Sequence, residues 1–129
     1  MNRAMVTIFS RVNKGKPIDS GMLEQLALAY VARFAVSSAK LEGYLFRKLR
    51  ERGWAGEGEP AVSNLVERCV AAGYVDDAAY ARSKDAGLLA RGYGRRRIDQ
   101  ALTAAGIGED LRHSLRGRAA SERRAALAM

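Results

Sequence analysis

The chain has 129 residues, 48% of them hydrophobic but only 7% aromatic, with two prolines, one cysteine and one histidine. Such a length allows one domain or two very small ones, and a lone Cys69 and a lone His113 exclude an intramolecular disulfide and a His/Cys metal cluster. The net charge of +8 is unevenly placed: residues 1–22 carry four basic side chains against one acidic, residues 23–90 nine of each, and residues 91–129 nine arginines against four acids. A surplus of this kind favours polyanions or acidic protein surfaces. The single thiol points to a reducing compartment, so a cytoplasmic location is expected. The apolar run Met5–Phe9, interrupted by Thr7, is too short for a signal peptide or a membrane span.

Residues 1–20 lack helical periodicity and contain Asn13-Lys14-Gly15-Lys16-Pro17. They read as a basic flexible arm, with Asp19 or Ser20 placed to start the first helix. That helix is expected over 22–36, its apolar face formed by Leu23, Leu26, Ala27, Tyr30, Val31 and Phe34 at i, i+3, i+4 spacing. Ser37 and Ser38 are a natural cap for a second helix over 39–52, with Leu41, Leu45 and Leu49 inward and Tyr44 beside them. Gly53 ends it. Pro60 suits the first position of a third helix, which runs to Ala72 with Val62, Leu65, Val66, Cys69 and Val70 on one face.

Gly73 can take the left-handed conformation that closes a helix, and Asp76 or Asp77 can cap the next one. The fourth helix is expected to reach Arg91, burying Tyr80, Ala81, Leu88 and Leu89, with Asp85-Ala86-Gly87 weakening its pattern. Gly92 and Gly94 break it. A fifth helix, starting at Gly94 or Arg95 and reaching Ala105, uses Ile98, Ala101 and Leu102, and Gly106 ends it. A sixth starts near Glu109 and buries Leu111 and Leu115. Ser121 could cap a last short segment, Glu122–Met129.

The halves superpose. Leu45, Leu49, Gly53 and Trp54 match Ile98, Leu102, Gly106 and Ile107, while Leu26, Ala27 and Phe34 match Tyr80, Ala81 and Leu88. The expected fold is therefore all-α, with tandem three-helix repeats forming an elongated curved array. Its parts are the arm 1–20, a first repeat 21–75, a second repeat 76–118, and a tail or remnant of a third repeat at 119–129.

Arg95, Arg96 and Arg97 open the fifth helix, and Arg91 lies just before the break. Cations at a helix N-terminus oppose the dipole. Their retention points to a negative partner, although a solvated helix start has the same composition. About 100° separates successive residues, so Arg96 and Arg97 project outward while Arg95 lies on the flank of the buried side. Arg47, Lys48, Arg50 and Arg52 could extend a basic strip, or form an ordinary polar face with Glu42 and Glu51. Asp76 and Asp77 fit capping better than a metal or acid/base pair. Cys69 reads as a buried thiol and His113 as a surface residue without a role. Trp54 and Tyr93 follow helix ends and could stack on bases or lock helix junctions. Gly92-x-Gly94 follows no strand and lacks the Lys-Ser/Thr of a phosphate loop. No catalytic constellation, metal site or cofactor motif is present.

The run Ala29-Tyr30, Ser37, Leu41, Leu45, Lys48-Leu49, Gly53, then Gly73-Tyr74-Val75-Asp76-Asp77-x-x-Tyr80-Ala81, then Gly92-Tyr93-Gly94-x-x-x-Ile98-x-x-x-Leu102-x-x-x-Gly106-Ile107, resembles the RecX regulatory family over residues 23–115. The resemblance implies tandem three-helix repeats and a non-enzymatic role in recombination, DNA repair and the SOS response. On this reading the chain, a monomer, binds the filament of RecA recombinase on single-stranded DNA, without a membrane or cofactor. It modulates, most simply inhibits, the filament's ATPase, recombinase and coprotease activities. A member of usual length carries three repeats, so the third is expected to be reduced here to Ser121–Met129. Phe34-Ala35-Val36 is more apolar than the charged turn usual before the family's serine, and Lys40 replaces a common acidic residue. The alternative is a sequence-nonspecific DNA-binding helical protein that needs no recombinase.

Overall fold

The computed structural model describes residues 15–128. Six helices follow one another: α1 Ser20–Arg33, α2 Ser38–Arg52, α3 Val62–Ala71, α4 Asp77–Ala90, α5 Arg95–Ala104 and α6 Glu109–Ala128. No strand occurs among the described residues, and the fold is all-α; an isolated bridge pairs Ile18 with Trp54. The described residues divide into two compact units, 15–34 with 41–74, and 35–40 with 75–128. The expected division at 75/76 had placed 35–40 with the first repeat. The greater part of the expected arm, residues 1–14, lies outside the described residues.

The first unit is built on α1, most of α2, and α3. Asp19 caps α1 by accepting from the Met22 N–H at 2.8 Å. Leu23 and Ala27 point inward, as do Leu41 and Leu45 of α2 and Val62, Leu65, Val66 and Cys69 of α3. Val70, expected on the same face, is exposed. The last residues of the expected arm belong to this core. Ile18 is buried, its N–H donates to the Gly53 carbonyl, and its carbonyl accepts from the Ala55 N–H, both at 2.8 Å. Trp54 locks this junction by donating its indole N–H to the Gly58 carbonyl.

The second unit holds α4, α5 and α6 around Ala81, Ile98, Leu102, Ala105, Ile107 and Leu115, with Tyr80, Leu88, Tyr93 and Leu111 packed against them. Asp76 caps α4 by accepting from the Ala79 N–H. Residues 35–40 complete this unit, which explains why α1 stops at Arg33 instead of reaching Val36. Phe34 turns extended, φ −130° and ψ 139°, so that Val36 and Ser37 can be buried. Ser37 accepts from the Lys40 N–H, capping α2. Its hydroxyl also donates to the Ala105 carbonyl at 2.6 Å. Ser38 donates its N–H and its hydroxyl to the two carboxylate oxygens of Asp77 at 2.7 and 2.6 Å. Asp76 thus caps as expected, while Asp77 holds the start of α2.

Gly53 and Gly106 both close their helices with positive φ, +84° and +83°. Counted back from these glycines, Leu45 falls in step with Ile98 and Leu49 with Leu102. The additional turn at the start of α2 lies in the stretch assigned to the second unit. At the other end, α6 runs unbroken to Ala128. Ser121 lies inside it and caps no separate segment. Alanine- and arginine-rich sequence with no glycine after 117 and no proline continues the helix at little cost in propensity.

A β-carbon at Gly53 would meet nothing within 4 Å, whereas one at Gly106 would lie 2.2 Å from the Ala39 β-carbon. Both replacements carry the left-handed penalty of about 1–2 kcal/mol. Gly106→Ala should therefore cost roughly 1–3 kcal/mol more than Gly53→Ala because of the clash, read as the difference between their denaturant-unfolding free energies.

Candidate binding surface

The turn between α4 and α5 is fixed by its own backbone. The Gly92 N–H donates to the Leu89 carbonyl and the Tyr93 N–H to the Leu88 carbonyl, at 3.0 and 3.1 Å. Tyr93 is half-buried against the second core. The guanidinium of Arg97 lies 5.0 Å from its ring centroid and that of Arg91 5.4 Å away. A ring face attracts cations, so one anchored tyrosine orders two otherwise free arginines. Arg91, Arg96 and Arg97 are exposed, and no ion pair engages them among the described residues.

Arg95 behaves differently. Its two terminal nitrogens donate to the two oxygens of Asp85 at 3.1 and 2.7 Å, a fork-to-fork pair. Asp85 is only 8% exposed. Arg95 is therefore neutralised inside the fold and leaves the proposed strip. The dipole penalty of a cation opening α5 is offset at this position by the paired carboxylate. Leu89, expected inward on α4, is 52% exposed. Asp85 takes an inward place that the apolar pattern did not assign.

Arg52 also leaves the strip. Its Nε donates to the Lys16 carbonyl at 2.8 Å and its Nη2 reaches the Met22 sulfur at 2.9 Å. Arg47 and Lys48 stay at the surface of the first unit, where they share one carboxylate, Glu51, at 4.0 and 3.7 Å. Exposed pairs at such distances contribute little.

Most of the remaining charge on α6 is internally matched. Arg112 and Arg116 both bond Glu109, and Arg116 bonds Asp99 of α5 at 2.7 Å. These two guanidinium groups hold the Glu109 carboxyl below its ordinary value of 4.5. Arg118 pairs with Glu122. Among the described residues, the cations of the second unit left without a carboxylate are Lys40, Arg82, Lys84, the three at the α4–α5 turn (Arg91, Arg96 and Arg97), and Arg123 and Arg124 of α6. Burial pushes the Cys69 thiol up, so it stays protonated. No group of three or more His, Cys, Asp or Glu able to hold a metal occurs among the described residues. No helix among them is long and apolar enough to cross a membrane.

Residues 76–114, spanning α4, α5 and the start of α6, match the model of the second three-helix domain of RecX. The chain is also 34% identical over 97 residues to the regulatory protein RecX of Myxococcus xanthus (strain DK1622), covering 71% of this chain and 52% of that protein. The chain thus spans about half the length of the curated relative it matches. No solved structure gives a significant match.

Arg95→Ala should destabilise the fold by roughly 2–3 kcal/mol, short of the 3–5 of a fully buried pair because a quarter of the Arg95 side chain meets water. Arg96→Ala should change stability by less than about 0.5 kcal/mol. Adding Asp85→Ala to Arg95→Ala should recover part of the loss in a double-mutant cycle read by chemical denaturation. The Glu109 network has its own pH signature. A folded-state carboxyl below its unfolded value stabilises above the unfolded value and loses that contribution as pH falls through the folded one. The melting-temperature advantage of the parent over Glu109→Gln should therefore be present at neutral pH and disappear in acid below the ordinary glutamate range.

Proposed function

The chain belongs to the RecX family, and on that premise we propose that it regulates the RecA recombinase by binding the filament RecA forms on single-stranded DNA. The observation that carries this reading is the α4–α5 turn. Its backbone is closed by hydrogen bonds, its tyrosine is seated on a core, and Arg91, Arg96 and Arg97 face solvent without carboxylate partners among the described residues. A nucleoprotein filament offers repeated acidic protein surface and phosphate. Arg91 and Arg97, drawn over the Tyr93 ring, meet such a polymer without first being ordered, which reduces the entropic cost of association. The binding residues proposed are Arg91, Arg96 and Arg97, with Arg47 and Lys48 as a separate cationic patch on the first unit.

The action proposed is inhibitory and non-enzymatic. A chain clamped on the filament restricts the subunit movements that accompany ATP turnover, slowing hydrolysis, strand exchange and coprotease action together. The surface supports this through position and charge and supplies no reacting group. Long-range attraction between opposite charges speeds encounter and is screened by salt.

The experiment is a titration of preformed RecA filaments on single-stranded DNA, with ATP hydrolysis as the readout. The parent chain should slow hydrolysis, and raising the salt should weaken the effect. Arg91→Ala/Arg96→Ala/Arg97→Ala should raise the half-inhibitory concentration at least about tenfold, the equivalent of 1.4 kcal/mol, with helical content unchanged. A triple variant as inhibitory as the parent would refute the assignment of the turn.

A further inference from the structure

We propose that the cationic patch of the first unit, apart from the α4–α5 turn, belongs to a platform for single-stranded nucleic acid, with Phe34 as the base-stacking residue and Arg33, Arg47 and Lys48 as phosphate contacts. Tyr30 and Tyr44 lie face to face, ring centroids 3.9 Å apart and planes 4° from parallel. Phe34 leans on Tyr30 at 5.3 Å and is 50% exposed. Three aromatic rings therefore adjoin, two half-buried and one presented outward on a short extended stretch.

Cations surround the cluster. The Arg33 guanidinium lies 5.4 Å from the Phe34 centroid, and Arg47 and Lys48 lie 5.5 and 5.7 Å from that of Tyr44. Three positive charges face one carboxylate, Glu51, through its long contacts to Arg47 and Lys48.

Packing does not account for Phe34. Its counterpart in the repeat alignment, Leu88, packs against the second core, whereas Phe34 lies half in water. Tyr30 steadies it without covering it. A ring held in one orientation loses little freedom when a planar group stacks on it. Every nucleobase offers such a face, and adjacent cations take the phosphates, which is how single strands are bound without sequence preference. A duplex keeps its bases stacked on each other and cannot reach a protruding ring, so it is the weaker ligand. An acidic peptide would use the cations but gain nothing from the flat aromatic face.

The test uses the whole chain, without recombinase, and a short fluorescein-labelled oligothymidylate read by anisotropy. The parent should bind the single strand more tightly than a duplex of equal length. Phe34→Leu keeps an apolar side chain and removes the stacking face, and it should weaken single-strand binding about tenfold. Phe34→Trp should retain it. Arg47→Gln/Lys48→Gln should reduce the slope of log affinity against log salt by about 1.4, the loss of two phosphate contacts. Circular dichroism of each variant should match the parent. Oligothymidylate binding that is equal in the parent and Phe34→Leu, or matched by a poly-glutamate peptide in a Phe34-independent way, would overturn the platform. Filament ATPase assays on the Arg91, Arg96 and Arg97 variants are unaffected by that result, so the two proposals fail separately.

Discussion

One buried carboxylate governs how the arginine run of this protein is used. Asp85 sits on the inward face of α4 and receives both terminal nitrogens of Arg95. An unpaired charge there would be costly to bury, so the pair must form for α4 and α5 to close on their core. Once it forms, Arg95 is committed, and Arg96 and Arg97 are turned outward by helix geometry. Tyr93 then collects Arg97 and Arg91 over its ring. A run that looks uniform in sequence thereby splits into one structural arginine, one drawn over the Tyr93 ring and one facing solvent.

A second constraint concerns the start of α2. Ser37 and Ser38 place three hydrogen bonds on Ala105 and Asp77, and Gly106 is kept small by Ala39. Burying Ser37 is favourable only because its hydroxyl is satisfied in both roles, accepting from Lys40 and donating to Ala105. These bonds also explain why α1 ends early: the chain must be extended to deliver Val36 and Ser37. The same extension leaves Phe34 without a core to enter.

Much of this was legible in the sequence. The six helices follow from apolar spacing and from glycines, and the duplication follows from the Leu45/Ile98 and Gly53/Gly106 correspondences. Capping by one of Asp76 and Asp77 and by the Ser37–Ser38 pair is readable from residue type, and the place of Arg95 on the flank of the buried side from helical phase, though not its pairing with Asp85. What escaped involves pairings across distance. The Asp85–Arg95 bond joins two helices, and apolar periodicity scores an aspartate as a flaw in the pattern rather than an inward group. A signal was present, since Asp85 follows Ala81 by four residues on the buried stripe. Arg52 looked like part of a polar face because its partners are a backbone carbonyl and a methionine sulfur, 36 and 30 residues away. Ile18 was hidden in a stretch dominated by lysine, glycine and proline, where a single apolar residue carries no period.

We propose that the arginines left free beside Asp85 and Arg95 are the surface that meets the filament. Hydrogen exchange of the bound chain addresses it directly. Amides of residues 91–97 should exchange more slowly when RecA filaments on single-stranded DNA are added and return to their free rates at high salt. Unchanged exchange across that turn, with protection confined to other segments of a chain that is demonstrably bound, would contradict it.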